Sequence, residues 1–342
     1  MAESDTESTV RATVKATLDR RVRSMEWLPK QLGLRRFARV LIEDGPPDSL
    51  IARCETEEDP AGRPAGAAAE PPLEPIRALL EAAGLPVPTF YGADARGEIQ
   101  LLEDLGDESL RERATQHPDE TRPLYTEACN WIARLQAVEP APIAAFDRRL
   151  DAEWFRYKAD LFARHGLTRP CRPDERAVIQ TSFDRIAAVA AAAPLRLSHR
   201  DYQSANLMVR SGAAPGKRLV MIDLQGAFLA PPEYDLVCLL RDSYVELDET
   251  ELTHQLAQIR PQLPDAPEEE IFQRRFDLLT LSRKCKDLAR FCYAARERGD
   301  TRYLEFVPTT LRALRRASRR AADREPAFEA FADLIAGIPE PS

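Results

Sequence analysis

Two aspartates and an asparagine fall close together in this chain. Asp201 and Asn206 lie in His199-Arg200-Asp201-Tyr202-Gln203-Ser204-Ala205-Asn206-Leu207-Met208, and Asp223 follows in Leu219-Val220-Met221-Ile222-Asp223-Leu224-Gln225. Two carboxylates and one amide, set between apolar runs, suit metal-dependent phosphoryl transfer. A transferred phosphoryl group spreads negative charge over its oxygens, so the protein must neutralise that charge and orient an acceptor, with little covalent chemistry of its own. Mg²⁺ takes hard oxygen ligands and keeps several waters, so Asn206 and Asp223 are enough to hold it against phosphates. Asp201 is then left for an acceptor hydroxyl.

The elements needed to position this trio are visible around it. The run 196–198 reads as a short strand leading into an exposed loop. Asn206-Leu207-Met208-Val209 and the run 218–222 read as a hairpin around Gly212-Ala213-Ala214-Pro215-Gly216, a turn by composition. Such a hairpin delivers Asn206 and Asp223 to one end, where a single ion can bridge them. The competing reading makes Asp and Asn simple turn caps. The company of His199-Arg200 and Ile222-Asp223 favours the phosphoryl-transfer site.

With 342 residues, 44% hydrophobic and 30% charged, the chain can bury a substantial core as one bilobal unit or two domains. The net charge of -8, with basic residues interspersed among acidic ones, argues against a nucleic-acid partner. The clusters Arg20, Arg21, Arg23 and Arg315, Arg316, Arg319, Arg320 read as solvated helix faces. Six scattered cysteines form no Cys-x-x-Cys pair, which fits core packing in a reducing compartment. No apolar run reaches membrane-spanning length and the N-terminus is acidic, so no membrane partner and a cytoplasmic location are the expectation.

Val10, Val14, Leu18 and Val22 recur at four-residue spacing and predict an amphipathic helix over 8–26. Strands are expected at 34–40 and 50–54, a low-complexity loop at 59–72, a helix at 74–83 stopped by Gly84, and further strands near Val87 to Tyr91 and at 98–102. From 123 onward the period is helical: 123–138, 147–165 and 173–193, then, after the hairpin, 233–244, 248–260, 267–298, 301–320 and 326–336. The expectation is an α+β fold with an N-terminal helix over 1–24, a small sheet lobe over 25–106 and a larger helical lobe over 107–342.

Four passages carry a family resemblance: Leu101-Leu102-Glu103-Asp104-Leu105-Gly106-Asp107, the loop 199–208, Ile222-Asp223-Leu224-Gln225 with Tyr234-Asp235-Leu236, and Arg298-Gly299-Asp300-Thr301-Arg302-Tyr303-Leu304. In them the chain resembles the aminoglycoside phosphotransferase-like branch of the bilobal protein-kinase-like fold. Within that branch it is most similar to the bacterial kinases that phosphorylate N-acetylmuramate and N-acetylglucosamine at the anomeric hydroxyl during cell-wall recycling. The resemblance implies ATP and Mg²⁺ as cofactors and a small-molecule sugar as acceptor. It makes Asp201 the catalytic base, Asn206 and Asp223 the metal ligands, and Glu103, Asp104 and Leu105 a hinge whose main chain meets the adenine edge. Asp235 would brace the catalytic loop, and His199 would organise it.

The chain also departs from the pattern. Where kinase-like proteins place a phosphate-gripping lysine, the third strand offers Arg53, with Glu74 a possible partner, and an arginine does not reproduce a lysine's close contacts. The phosphate-covering segment has only Gly33, so Arg35 or Arg36 would have to substitute for free backbone N–H groups. Gln203 and Ala205 stand where the sugar kinases carry histidine and arginine. These departures leave open another acceptor, such as an aminoglycoside, choline or homoserine, to which the acidic run Glu246-Leu247-Asp248-Glu249-Thr250-Glu251 would be suited. They also leave open a nucleotide-binding pseudokinase acting as a scaffold.

Overall fold

The computed structural model describes residues 3–29, 35–55 and 70–340. The chain divides into two compact units, one made of residues 1–70 and 86–107, the other of residues 71–85 and 108–342. Gly33 and most of the low-complexity loop expected at 59–72 lie outside the described residues.

The first unit begins with α1 (Glu3–Leu18), followed by β1 (Val22–Trp27), β2 (Arg36–Ile42) and β3 (Ser49–Cys54), then β4 (Phe90–Ala93) and β5 (Ile99–Glu103). They form one antiparallel sheet in the order β1-β2-β3-β5-β4. Val10 and Val14 of α1 are fully buried with Ala38, Val40, Leu50, Ala52, Ile99 and Leu101. The helix is shorter than its valine spacing predicts. Asp19 turns to a positive φ of 54°, which ends it, and Val22 instead opens β1, where it packs on the same core. A strand residue and a helix residue bury the same kind of surface, so the four-residue spacing ran across the boundary.

Alternation along β3 sends Leu50, Ala52 and Cys54 to the α1 face and Ile51 and Arg53 to the other. On that second face Arg53 sits opposite Gln100 of β5 and Phe37 of β2.

The second unit takes in α2 (Leu73–Ala82), then α3 (Leu110–Gln116), α4 (Thr121–Gln136), α5 (Ala144–Asp147), α6 (Ala152–His165) and α7 (Pro173–Ala191). Two small antiparallel pairs follow. β6 (Arg196–Ser198) pairs with β9 (Phe228–Ala230), and β7 (Leu207–Val209) pairs with β8 (Leu219–Met221). The chain then runs through α8 (Tyr234–Leu240), α9 (Glu249–Ile259), α10 (Glu269–Arg298), α11 (Val307–Arg324) and α12 (Glu329–Ala336). The long α10 packs on α6, α8 and α11 and buries Phe272, Phe276, Leu279, Leu288 and Phe291. Gly299, at φ +65°, takes the left-handed turn that stops it.

Two elements carry little sequence signal. α3 is held at its start by a capping box in which Glu112 accepts from Ser109 N–H, but its only buried residues are the apolar Leu110 and Ala114. β9 is three residues long and gains its place by pairing with β6 and by backbone bonds of Leu229 with Arg148 and Leu150. The segment Thr301–Phe306, expected as helix, is a 3-10 turn leading into α11. Among the described residues no helix is long and apolar enough to cross a membrane.

Candidate active site

The loop between β6 and β7 is pinned by two buried aspartates. Asp235, on α8, accepts from Ser198 Oγ (2.8 Å), His199 N–H (2.7 Å) and Arg200 N–H (3.1 Å). Burial raises its pKa against the opposing pull of His199 and these donors. Asp242, just past the end of α8, accepts from the N–H (2.8 Å) and Oγ (2.5 Å) of Ser204. One short helix therefore anchors both ends of the loop. Tyr202 adds a third peg, donating its hydroxyl to the Ala128 carbonyl at 3.0 Å from a fully buried site. His199 bonds through Nε2 to the Ile222 carbonyl at 2.8 Å, tying the loop to the residue before Asp223. Its ring serves the scaffold.

This anchoring holds unusual backbone in place. Arg200 has φ +81° and Asp223 φ +64°, left-handed values that side-chain-bearing residues adopt only when their surroundings impose them. Both flank the functional groups: Arg200 directly precedes Asp201, and Asp223 leaves β8 at the turn.

Asp201 keeps 26% of its side-chain surface exposed. Its Oδ1 accepts from Arg283 Nη1 at 2.7 Å, with Lys286 Nζ at 3.5 Å, and its Oδ2 lies 3.7 Å from Arg200 Nε. Burial pushes its pKa up, but the charges of Lys286, Arg283 and Arg200 outweigh this and hold it well below the usual carboxylate range. The group is an ionised carboxylate with an open side.

Asn206 donates its side-chain amide to the Asp201 main-chain carbonyl at 2.8 Å, and its own main-chain carbonyl accepts from Ile222 N–H at 3.0 Å. The β7–β8 register, Leu207 opposite Met221, sets Asn206 beside the start of the Asp223 turn, so the hairpin brings the two together. With its NH₂ engaged, Asn206 has Oδ1 as its remaining polar atom. Asp223 accepts from Gln225 Nε2 at 2.7 Å through one oxygen. An amide oxygen and a carboxylate form a hard-oxygen pair that fits Mg²⁺ and leaves the other positions to phosphates and water.

Several groups at the site gave no signal in the loop itself. Arg283 of α10 donates to the Arg200 carbonyl (3.0 Å), to Asp201 and to Gln203 Oε1 (3.2 Å), and pairs with Asp287 at 3.3 Å. Gln203, a departure in sequence, is thus a partner of Arg283. Lys284 bonds Ser243 Oγ at 2.9 Å and Asp287 at 2.7 Å. The Arg200 guanidinium lies over the Trp154 ring, 5.0 Å from its centroid. Lys158 is buried beneath, 3.4 Å from Tyr234 OH and 3.3 Å from Ser282 Oγ. Burial, then Lys286 and Arg283, lower its pKa to about 7. The visible clue was Arg283-Lys284-Cys285-Lys286-Asp287, five residues with four charges just after the apolar run Leu278-Leu279-Thr280-Leu281 of α10.

The remaining expected residues belong to the first unit, apart from Glu74 on α2 of the second. Glu103 holds Thr89 through its side chain, at 3.0 Å from N and 3.1 Å from Oγ1. Asp104, with 6% of its side chain exposed, receives Arg39 at 2.8 and 3.2 Å and Gly106 N–H at 3.0 Å. Leu105 follows on the same stretch, which these two carboxylates staple from both sides. Arg53 is buried, with 3% of its side chain exposed, and donates to Glu55 and to Gln100 at 2.9 Å. Glu74 is engaged by Arg77 on its own helix. Arg35 pairs with Glu55 and Glu70, and Arg36 lies over Trp27.

A profile of the phosphotransferase enzyme family matches residues 33–270. Over 275 residues the chain is 28% identical to the N-acetylmuramate/N-acetylglucosamine kinase of Pseudomonas aeruginosa, covering 79% of this chain and 78% of that one. Over 296 residues it is 29% identical to the protein of the same name from Caulobacter vibrioides, covering 78% and 77%. Among solved structures, the gentamicin complex of APH(2")-IIa aligns with a TM-score of 0.60 at 14% identity, over 92% of this chain and 96% of that one. The choline kinase LicA from Streptococcus pneumoniae aligns with a TM-score of 0.59 at 15% identity, over 93% and 99%. The fold is the bilobal protein-kinase-like α+β fold, and the chain belongs to the phosphotransferase enzyme family.

Proposed function

We propose that this protein transfers the γ-phosphoryl group of ATP, with Mg²⁺, to the anomeric hydroxyl of an N-acetylated amino sugar, N-acetylmuramate or N-acetylglucosamine. The observation that carries the reading is Asp201: an ionised carboxylate, partly open, with Asn206 fixed to its own carbonyl. In this reading Asp201 accepts the acceptor O–H and takes its proton as the new O–P bond forms and the bond to the ADP oxygen breaks. Asn206 and Asp223 hold the metal, which neutralises phosphate charge when bound. Glu103, Asp104 and Leu105 present main chain to the adenine edge, the two carboxylates serving to fix that stretch. Arg53 is assigned to the phosphate side of the sheet, with Glu55 as its standing counter-ion. The location that suits this activity is the cytoplasm, where ATP is supplied and the six free thiols stay reduced.

The relatives named above support the sugar acceptor, and local charge supports it over a cationic one. In the run 246–251, the feature that suited a cationic ligand, the three glutamates are already paired and Asp248 caps α9: Glu246 meets Arg312 and Arg316, Glu249 meets Arg241, Arg316 and Arg320, and Glu251 meets Arg122.

The test is sugar-dependent ADP release by purified protein with ATP and Mg²⁺, followed by ³¹P and ¹H NMR of the product. A phosphorus coupled to the anomeric proton is the expected result. Release absent with both sugars overturns the sugar acceptor, and a phosphate on another carbon overturns the anomeric assignment.

A further inference from the structure

Lys286 stands out among the charges around Asp201 because its neighbours are engaged at close hydrogen-bond distance while its own ion pairs are long. Arg283 is held by the Arg200 carbonyl, Asp201, Gln203 and Asp287, and Lys284 by Ser243 and Asp287. The carboxylates facing Lys286 Nζ are Asp201 at 3.5 Å and Asp287 at 4.0 Å, too long for strong hydrogen bonds to an ammonium with three donors. Its side chain keeps 18% of its surface exposed, against 3% for Arg283 and 1% for Lys284. Burial and the adjacent Arg283 lower its pKa to about 8. An anion placed beside it would offset that repulsion and fill its donors, whereas a cationic acceptor would add to the repulsion.

Its position bears on which anion. The metal pair is built on the β7–β8 hairpin and meets Asp201 through the main-chain carbonyl. Lys286 comes from α10 and meets the carboxylate itself, where an acceptor hydroxyl has to dock. We propose that Lys286 is the specificity-determining residue that recognises an anionic substituent of the acceptor, the lactyl carboxylate of N-acetylmuramate, an inference that rests on the sugar-kinase reading above. A charge-assisted hydrogen bond of this kind distinguishes acidic from neutral acceptors.

Three acceptors separate the possibilities: N-acetylmuramate, its lactyl amide and N-acetylglucosamine, each assayed for kcat/KM. In the wild type N-acetylmuramate is expected to exceed its amide by about tenfold or more, the order of one charged hydrogen bond. In Lys286→Gln and Lys286→Met that ratio closes toward one, while Lys286→Arg keeps it, with thermal melts confirming that each variant is folded. A wild-type ratio near one, or a ratio that survives in both uncharged variants, overturns the proposal. Equal losses on all three acceptors also overturn it, and assign Lys286 to the transferred phosphoryl group instead. Failure of the wild type on every acceptor is a separate result, which removes the sugar-kinase reading itself.

Discussion

The carboxylate of Asp201 and the acidic run of residues 246–251 are both ringed by basic side chains, and they are opposite in kind. Around the run, the three glutamates meet arginines that are mostly solvent-facing: Arg122, Arg312, Arg316 and Arg320 are 62, 43, 37 and 39% exposed, and Arg241, at 5%, is the buried exception. Pairs of this type contribute about 1 kcal/mol or less each. Around Asp201 the cations come from the interior of α10, where Arg283 is 3% exposed, and the carboxylate is the part that reaches solvent. Desolvated charge is costly unless the arrangement is fixed, so its presence points to chemistry at the open group. In sequence Asp201 was already the group left for the acceptor while the acidic run kept a cationic acceptor open, and the pairing of the run's glutamates removes the feature that suited one.

The sharpest way to break this contrast is Asp201→Asn. The phosphotransferase rate is expected to fall by about 10²- to 10⁴-fold, the usual worth of a general base. Mg·ATP binding, measured by titration calorimetry, should persist; loss of binding together with rate would make Asp201 a structural group.

Next comes Arg283→Met, which leaves Asp201 and Asp287 with less compensation. Breaking a buried pair costs about 3–5 kcal/mol, to be read by urea denaturation. Because Arg283 is one of the charges holding the Asp201 pKa down, the acidic limb of the pH–rate profile should move to higher pH. An unmoved limb would separate Arg283 from the base.

Lys158→Met tests the buried cation beneath. With a folded pKa of about 7 against an ordinary value above 10, the unfolded chain binds a proton between those values that the native chain does not. Stability contributed by this site therefore rises with pH across that window, by about 1.4 kcal/mol per unit at most. Methionine should flatten the slope and raise the melting temperature at pH 7, and an unchanged slope would show that the lysine is solvated.

The smallest effect belongs to the surface. Glu249, half-buried, is lowered to about 2, chiefly by its hydrogen bond with Arg241. Its contribution is present above the ordinary glutamate pKa and is lost as pH falls through about 2. Glu249→Gln should cost about 1 kcal/mol at pH 7, with no change in kcat/KM for any acceptor. A change in acceptor preference would return the acidic run to the binding site.

What was legible in the sequence follows from distance along the chain. Asp201, Asn206 and Asp223 share one loop and one hairpin, so local spacing sufficed to group them. Arg283 is 82 residues from Asp201 on a separate helix, so no local spacing links the two. The strands of the first sheet were readable from alternation, whereas α1 was read too long because Val22 serves the same core from a strand. Asp104 was placed in the hinge by resemblance, but its salt bridge to Arg39 depends on β2 lying two strands away in the sheet, a fact of topology.

The β7–β8 hairpin has a consequence for protein engineering. Asn206 and Asp223 occupy its open end, while the far turn, residues 211–217, is largely exposed and closed by the Arg210 N–H to Arg218 carbonyl bond at 2.7 Å. Length added at that turn grows into solvent and leaves the register of Leu207 with Met221 untouched. A reporter peptide or fluorophore tag grafted there would ride on the same hairpin that carries both proposed metal ligands, at the end away from them, which makes it a natural attachment point for following nucleotide binding by fluorescence.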